Sequence, residues 1–395
     1  MENGIGYGGA IICLRHLVRN LDKERFLPLV ITGRGTPQYQ DIANEALWQH
    51  IPDRHIDSIA LRTKAASIEW LAKVPLLKFC INQLIARADD LFNFLPFFIR
   101  LLWTSWRFKA DLIHANNEPI CNRAALLVAK TLNIPCVCHV RGDPNGSHLS
   151  PWIYNLPQHF ISVSNWVAKS MVEHLSVPRE KISVVYDGIA LDKLNINANG
   201  ALFRQRFDVA DNAFAVGLVG LLIPWKGQNV FIDAAKLLKG QIPNLKMLIV
   251  GGTPVVYLNY EQELKQRVID EDLADIIRFT GHQSEMMEVY KGLDIVVSAS
   301  TSPEPLGTVV IEAMALACPL IVPNHGGGAE MVQDNETGLI FNTGDADSLA
   351  ASILKFYQSK QLMDQLARNA QAKALNTFDV QQHATSVAAI YEKLF

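Results

Sequence analysis

The sequence has few cysteines, no excess of charge of one sign and no long uninterrupted apolar segment. Its 395 residues include 6 cysteines, and none follows a C-x-x-C or Cys/His spacing typical of a metal site. The net charge of −3 provides no basic field, so no nucleic-acid partner is expected. Because scattered thiols favour a reducing compartment, we expect a cytoplasmic protein.

Nothing in the sequence predicts a membrane span or a leader. The most apolar region, residues 91–103, is interrupted by Asn93, Pro96 and Arg100. It is therefore shorter than the roughly 20 apolar residues that cross a bilayer. No basic segment followed by an apolar one opens the chain. With 49% hydrophobic and 19% charged residues, the composition predicts a globular protein large enough for two domains.

Short apolar runs alternate with longer amphipathic patterns, which predicts parallel α/β sheets. Strands are predicted at residues 27–32, 112–115, 136–140, 159–163, 182–186, 215–219, 246–250, 276–280, 295–298 and 320–323. Helices are predicted at residues 10–21, 122–132, 228–239, 308–316 and 380–394. We expect two doubly wound, Rossmann-like domains facing a central cleft, where ligands bind at the carboxyl ends of the strands.

The polar, strandless stretch at residues 191–201 is interpreted as the domain junction. The predicted organisation is an N-terminal domain at residues 1–190, a C-terminal domain at residues 191–375 and a final helix. That helix, at residues 376–395, is expected to cross back to the first domain.

The first residues match a dinucleotide-binding fingerprint without its structural context. Residues 4–9 read Gly-Ile-Gly-Tyr-Gly-Gly, and a predicted helix follows. The fingerprint requires a strand in front of it, and no strand fits into the three residues before Gly4, so nicotinamide binding is disfavoured. The first domain then lacks its first strand as well. Either the chain starts downstream of the true start, or the domain begins without this strand.

Two glutamates flank a glycine turn in the second half of the sequence. Glu304 lies in a proline-rich turn after a predicted strand, and Glu312 lies about one turn inside the following helix. Gly307 between them permits a close approach of the backbone to a ligand. Free N–H groups at the start of a helix bind hydroxyl or phosphate oxygens. We expect both carboxylates to face the cleft at different depths.

This segment resembles the E-x7-E signature of family 4 glycosyltransferases, with Glu304 and Glu312 as its two acids. Similarity to the family continues in the sequences around it, at residues 184–189, 216–228, 248–252 and 326–330. The resemblance implies a GT-B fold and a retaining, metal-independent sugar transfer. The donor would be a nucleotide-sugar, a UDP- or GDP-sugar above all, and no cofactor is expected.

The resemblance also implies roles for individual residues. Glu312 would hold the ribose hydroxyls of the donor, and Lys226 would stabilise the leaving diphosphate. Glu304 would hold the donor sugar together with the N–H groups of Leu306 and Gly307. Gly8 and Gly9, in a loop that resembles the glycine loop of the family, are also expected to bind the donor, together with Arg278, Gly326 and Gly327.

Two residues at the end of a predicted strand in the first half join this set. His139 and Arg141 are expected to point into the cleft, with His139 against the donor sugar and Arg141 among the donor-binding residues. The alternative for His139 is a structural histidine that bonds to the backbone. Leu221 stands where the family usually has an arginine, so one cation is missing, which would lower donor affinity or turnover.

Aromatic and basic residues interleave between Lys73 and Lys109. This mixture is typical of a helix in the headgroup region of a membrane, and equally of a helix that packs an apolar stripe into a core. The resemblance implies a carbohydrate or lipid-linked acceptor and a role in cell-surface polysaccharide or glycolipid assembly. Peripheral contact with the inner face of the cell membrane through residues 73–109 is therefore expected.

Two alternatives to a glycosyltransferase stay open. A nucleotide-sugar 2-epimerase of similar two-domain build would isomerise the sugar and form no glycoside. A non-catalytic partner subunit would keep the fold without turnover, and Leu221 and the absent first strand are the features that favour it.

Overall fold

The computed structural model describes residues 1–2, 9–53, 56–68, 70, 74–143, 151–191, 194 and 198–395. The chain divides by packing into two units. The first unit comprises Met1–Val163, Val167–Val185 and Ala384–Phe395, and the second comprises Ser164–Trp166 and Tyr186–His383. The junction predicted at residues 191–201 includes residues 192–193 and 195–197, which lie outside the described residues.

The first unit is built on parallel strands. The strands are β1 (Leu29–Thr32), β2 (Leu47–His50), β3 (Ile113–Asn116), β4 (Cys136–Val140), β5 (His159–Ser162) and β6 (Ile182–Val184). Strands β3, β4, β5 and β6 form a four-stranded sheet in that order, and β1 pairs with β2. Every pair is parallel, so the strand ends that carry loops of potential function lie at one edge.

A single residue joins the two parts of this sheet. Glu2 forms parallel bridges with Thr32 of β1 and with Asn116 of β3. The Met1 ammonium donates a hydrogen bond of 2.7 Å to the carbonyl of His114. A cavity of about 280 Å³ beside Met1 is lined by residues of both β1 and β3. Among the described residues, Glu2 thus lies between β1 and β3 and bridges them.

Helices of the first half of the chain connect these strands. They are α1 (Gly9–Asn20), α2 (Pro37–Gln40), α3 (Ser58–Ala66), α4 (Pro75–Asp89), α5 (Leu95–Phe108), α6 (Arg123–Leu132) and α7 (Asn165–Leu175), with a π-helical segment (Asp90–Phe94) between α4 and α5. The apolar face of α1 packs against β1, β4 and β5 through Leu14, Leu17 and Val18. No helix in the described part of the chain is long and apolar enough to cross a bilayer.

The second unit contains one continuous six-stranded parallel sheet. Its strands are β7 (Phe214–Val219), β8 (Leu245–Val250), β9 (Ile277–Gly281), β10 (Ile295–Val297), β11 (Leu320–Pro323) and β12 (Leu339–Phe341). The order is β12-β11-β10-β7-β8-β9, so the chain winds outward from β7 in both directions. This is the doubly wound, Rossmann-like topology that the sequence predicts.

Helices of the second half surround this sheet. They are α8 (Ala201–Arg206), α9 (Gln228–Leu238), α10 (Leu258–Asp270), α11 (Met286–Gly292), α12 (Thr308–Ala315), α13 (Gly326–Met331), α14 (Ala346–Gln358) and α15 (Lys360–Thr377). The helix α16 (Val380–Glu392) follows, and from Ala384 onward it belongs to the core of the first unit. The core of this unit packs α9 and α14 against the sheet, with Phe231, Ile353 and Phe356 fully buried.

Each predicted strand and helix is present, with strand ends within two residues of the prediction. The sequence analysis missed β2 and β12. The side chains of β2 are mostly exposed, so no apolar run marks it. β12 is an edge strand of three residues, too short for a periodic signal.

Candidate functional site

A cluster of polar side chains lies where β10 ends and α12 begins. Lys226 and Glu304 form an ion pair with 2.8 Å between Nζ and Oε2, and their side chains are 16% and 17% exposed. Ser300 donates a hydrogen bond from Oγ to the other carboxylate oxygen of Glu304, and Ser298 does so at 3.4 Å. The carboxylate of Glu304 is thus held in place on both oxygens.

Lys226 is brought to Glu304 by a tight turn after β7. The 3₁₀ turn Pro224–Lys226 is followed by Gly227, which has a φ of 78°. A Cβ at Gly227 would lie 1.8 Å from the carbonyl oxygen of Ala299, so only glycine permits this approach of the two loops. The N–H of Thr301 donates to the carbonyl of Trp225 at 2.8 Å, which fixes the two loops together.

The glycines at the start of α13 pack directly on the loop that carries Glu304. The N–H of Gly327 donates to the carbonyl of Glu304 at 2.8 Å. Gly326 has a φ of +75°, and a Cβ there would lie 2.7 Å from the Glu304 nitrogen. A Cβ at Gly327 would lie 2.4 Å from the carbonyl oxygen of Pro305. These glycines therefore position the loop, and their role in donor binding stays a prediction.

Two backbone donors are free at the start of α12. In the part of the chain that the structure describes, the N–H groups of Leu306 and Gly307 form no hydrogen bond. Gly307 has a φ of 89° and precedes the first helical residue, Thr308. Free N–H groups at a helix start, next to the Lys226 ammonium, are suited to bind anionic or hydroxyl oxygens.

Glu312 lies inside α12 and contacts a buried tyrosine. The hydroxyl of Tyr290 donates to Oε2 of Glu312 at 2.6 Å. Burial raises the pKa of the Glu312 carboxyl, and the hydrogen bond from Tyr290 opposes that rise. The other oxygen, Oε1, has no hydrogen-bond partner among the described residues. One oxygen of this carboxylate is thus fixed, and one is free to accept from a ligand.

Arg278 is not brought to this cluster. Its guanidinium donates to the carbonyls of Ala274 and Ile277, at the amino-terminal end of β9, whereas Glu304 and Lys226 follow the carboxyl ends of their strands. Its role in donor binding stays a prediction. Leu221 is 51% exposed and supplies no charge.

The predicted residues of the first unit lie in a separate hydrogen-bonded group. His139 is fully buried in β4. The guanidinium of Arg141 is 3.2 Å from Nδ1 of His139, and its Nε donates to Oδ1 of Asn116 at 2.8 Å. Gly9 is the exposed first residue of α1, whereas Gly8 lies outside the described residues. His139 contacts the guanidinium of Arg141 and the ring of His114, and its catalytic role and its structural alternative both stay predictions.

The sequence analysis missed three residues of the second-unit cluster. Ser298 and Ser300 bond to Glu304, and Tyr290 bonds to Glu312 from a different helix. The serines lie in the loop after β10, and this position at the carboxyl end of a strand could have indicated that they belong to a ligand site. Tyr290 is 22 residues from Glu312, and no local spacing connects the two.

The site residues do not include a metal centre. Within the described ranges, no group of three or more His, Cys, Asp or Glu side chains is arranged to hold a metal ion.

Two family models match the chain, one on each half. The model "Glycosyltransferase Family 4" matches residues 7–193, and the model "Glycosyl transferases group 1" matches residues 201–373. Together they cover nearly all of the sequence, including Lys226, Glu304 and Glu312.

Curated relatives share moderate identity with parts of the chain. A lipopolysaccharide core biosynthesis mannosyltransferase, LpsB of Rhizobium meliloti, is 30% identical over 181 residues, 45% of this chain and 51% of the relative. The amylovoran biosynthesis glycosyltransferase AmsK of Erwinia amylovora is 28% identical over 227 residues, 56% of this chain and 53% of the relative. The matched part of the chain thus spans about half the length of these relatives.

Solved structures are similar along the whole chain. HepE of Anabaena, crystallised in complex with UDP, has a TM-score of 0.80 at 22% identity, and the match covers 99% of this chain and 98% of HepE. At 22% identity, this similarity shows that the two proteins share a fold.

Proposed function

Because the chain belongs to the GT4-type glycosyltransferases and has their GT-B fold, we propose that it transfers a sugar from a nucleotide-sugar to an acceptor. The donor is a UDP- or GDP-sugar and the acceptor a carbohydrate or a lipid-linked carbohydrate. The product belongs to a cell-surface polysaccharide or glycolipid, the class of molecule that LpsB and AmsK are named for.

One observation carries this proposal. Lys226, Glu304 and the free N–H groups of Leu306 and Gly307 converge at the carboxyl edge of one parallel sheet. This arrangement offers a cation and backbone donors to phosphate oxygens, and a carboxylate to sugar hydroxyls. We assign Glu312, further inside α12, to accept hydrogen bonds from the donor ribose, because one of its carboxylate oxygens has no partner among the described residues.

In the proposed reaction, the bond between the anomeric carbon and the diphosphate oxygen breaks while an acceptor hydroxyl bonds to that carbon on the same face. The proton of the hydroxyl passes to the departing diphosphate. The anomeric configuration is retained. No carboxylate nucleophile is required, and Glu304 is assigned to sugar binding because its two oxygens are already held by Lys226 and Ser300.

We assign the stabilisation of the leaving diphosphate to protein groups rather than to a metal. The Lys226 ammonium has three donors and can contact phosphate while it remains close to Glu304. The N–H groups of Leu306 and Gly307 add fixed dipoles. Since Leu221 replaces a cation usual in the family, Lys226 carries a larger share of this charge stabilisation.

A transfer assay with a panel of UDP- and GDP-sugars tests the proposal. We expect release of nucleoside diphosphate from one donor, dependent on an added carbohydrate acceptor and unaffected by EDTA. The new glycoside should have the anomeric configuration of the donor sugar in an NMR spectrum. Isomerised sugar without a glycoside would identify an epimerase instead. A folded protein that binds donor without turnover would identify a non-catalytic subunit.

We also propose peripheral contact with an anionic membrane through residues 74–109. No side chain of α4 is buried, and Leu76 and Leu84 are 74% and 69% exposed. In α5, Trp103 and Trp106 are exposed on the face opposite to the buried residues. Exposed basic side chains on these helices would contact anionic headgroups, a pattern known from interfacial helices. Lys73 lies outside the described residues.

Vesicle sedimentation tests the membrane contact. We expect binding to vesicles containing phosphatidylglycerol and weaker binding to pure phosphatidylcholine, with loss of binding at high salt. The double variant Trp103→Ala and Trp106→Ala should bind at least about tenfold more weakly, because each indole contributes buried apolar area. Equal binding of wild type and variant would contradict this part of the proposal.

A further inference from the structure

Tyr290 is a fully buried side chain whose only polar atom faces the candidate site. Its side chain is 1% exposed, and its hydroxyl donates to Oε2 of Glu312 at 2.6 Å. The two residues lie on different helices, α11 and α12, so their contact depends on how these helices pack. A buried tyrosine hydroxyl requires a partner, and here the partner is a carboxylate expected to bind ligand.

The position of Tyr290 is fixed by the contacts of its helix. Sγ of Cys318 lies 3.3 Å from the carbonyl of Tyr290, and Nζ of the neighbouring Lys291 donates to the carbonyl of Leu316 at 2.8 Å. Both contacts hold the end of α11 against the end of α12. The phenol hydroxyl is therefore a fixed donor, and it limits the movement of the Glu312 carboxylate.

The protonation states of the pair agree with this geometry. Burial and the nearby Glu312 carboxylate raise the pKa of Tyr290 well above its usual value, so Tyr290 keeps its proton and donates it. Burial raises the pKa of Glu312, and the hydrogen bond from Tyr290 opposes this rise and so favours the carboxylate. Only the carboxylate can accept hydrogen bonds on both oxygens.

We infer that Tyr290 is a positioning residue for nucleotide binding. It holds Oε2 of Glu312 so that Oε1, which has no partner in the described part of the chain, points a lone pair at each hydroxyl of the donor ribose. The inference rests on the proposed function. It adds that the selectivity for a ribose with both hydroxyls depends on Tyr290, a side chain that does not contact the ligand.

Binding measurements on Tyr290→Phe test this inference. The substitution removes one oxygen and leaves the buried ring in place. UDP and GDP are compared with their 2′,3′-dideoxy analogues by calorimetry. For the nucleotide that binds the wild type, we expect about tenfold weaker binding to Tyr290→Phe, since a hydrogen bond to a charged group is lost. Binding of the dideoxy analogue should change less than about twofold, because it has no hydroxyl for Glu312 to accept.

A matched control and a coupled variant separate positioning from general damage. Tyr260 is a partly buried tyrosine of the same unit whose hydroxyl bonds to Gln228, so Tyr260→Phe should leave the preference for the ribonucleotide unchanged. In Glu312→Gln, the preference should be absent, and adding Tyr290→Phe should weaken binding no further. In steady-state assays, Tyr290→Phe should raise KM for the donor while kcat stays within about twofold.

Three outcomes would overturn the inference. Equal weakening of the ribonucleotide and the dideoxy analogue in Tyr290→Phe would mean that the hydroxyl only supports the fold. An unchanged ribonucleotide preference, in a wild type that shows this preference, would remove Tyr290 from binding and leave the proposed function intact. A wild type that binds neither UDP nor GDP would overturn the proposed function and this inference together.

Discussion

The two sheets of this protein differ in how their centres are formed. In the second unit, β7 lies at the centre and pairs in parallel with both neighbours, over six residues with β8 and three with β10. In the first unit, the corresponding place between β1 and β3 is bridged, among the described residues, by Glu2. The described part of the chain therefore pairs the centre of the second sheet along a whole strand, and the centre of the first sheet through one bridging residue.

The centre of the first sheet also contains the buried amino group of Met1. Burial lowers the pKa of the Met1 ammonium to about 6. The cavity beside it is lined by apolar side chains of α1, β1 and β3, with the polar His114 at its edge. His114 contacts both His139 and Tyr391. His139 thus contacts a residue that lines the cavity, whereas Lys226 and Glu304 are not among the cavity-lining residues.

Replacement of Lys226 in the second unit should have the largest effect on activity. We expect Lys226→Ala to lower kcat by about 10²–10³, because a fixed cation for the leaving diphosphate is lost. Lys236→Ala, an exposed lysine on α9 paired with Glu271, is the matched control and should keep full activity. The rate of nucleoside diphosphate release measures both. Similar rates for the two variants would remove Lys226 from the reaction.

Filling the centre of the first sheet should raise its stability. An added Val-Ile-Val-Ile-Val segment in front of Met1 would move the ammonium out of the cavity and supply strand residues in parallel register with β1 and β3. We expect the free energy of unfolding to rise by about 2–3 kcal/mol in urea titrations at pH 5 and by about half of that at pH 7, because the difference between the ordinary pKa of 8.0 and the folded pKa of about 6 counts in full only below the folded pKa. A Gly-Ser-Gly-Ser-Gly segment controls for removal of the charge without apolar filling. Equal stability of the two variants would mean that apolar filling of the cavity adds no stability.

The buried ammonium also predicts a pH dependence. The folded pKa of the Met1 amine is about 6, below its ordinary value of 8.0, so the unfolded chain binds the proton more tightly. The free energy of unfolding should therefore increase as the pH rises from 6 to 8. Both added segments should remove this contribution. Thermal melts across this pH range measure it, and a slope that is unchanged in both variants would contradict the assignment.

The close loop contact next to Lys226 predicts a difference between two glycines. Gly227 and Gly240 both have positive φ, but a Cβ would meet the Ala299 carbonyl oxygen only at Gly227, while nothing lies within 4 Å at Gly240. We expect Gly240→Ala to cost about 1–2 kcal/mol for the left-handed conformation, and Gly227→Ala to cost clearly more and to lower activity. Equal costs, measured by chemical denaturation, would mean that the loop contact contributes little.

The smallest expected effect concerns Glu312 in the absence of ligand. Burial raises its folded pKa, so the folded state loses stability as the pH rises through that pKa. Glu312→Gln should therefore raise the free energy of unfolding slightly at neutral pH, with a smaller difference at low pH. Thermal melts at several pH values measure it. A less stable variant would mean that the Glu312 carboxylate stabilises the folded state, and that its position is not explained by ligand binding.

Most of the described strands of both units were predictable from the sequence. Strand and helix periodicity located each described strand except β2 and β12, Glu304 was found in the turn after a strand end, and Lys226 was implied by the family resemblance. The pairing of these two residues with each other was not predictable, because it depends on the turn at Gly227 meeting the loop after β10. In the first unit, a one-residue bridge leaves no periodic signal, so the role of Glu2 could not be read from the sequence.

Tyr290 and Arg278 are two further residues whose contacts could not be predicted from sequence patterns. Tyr290 has no spacing relation to Glu312 and becomes visible only when α11 and α12 pack together. Arg278 belongs to a strand of the correct sheet, but its side chain bonds to carbonyls at the amino end of that strand. Sequence patterns place a residue on an element, and the packing of the element decides which end or face its side chain reaches.

The most direct test of the account is thermal stabilisation by UDP, GDP and ADP, measured on the wild type and on Glu312→Ala. A nucleotide present at 100 times its Kd should add about 2.7 kcal/mol to the stability of the wild type. The account predicts stabilisation by UDP or GDP and its loss in Glu312→Ala. A folded wild type that none of the three nucleotides stabilises would contradict it.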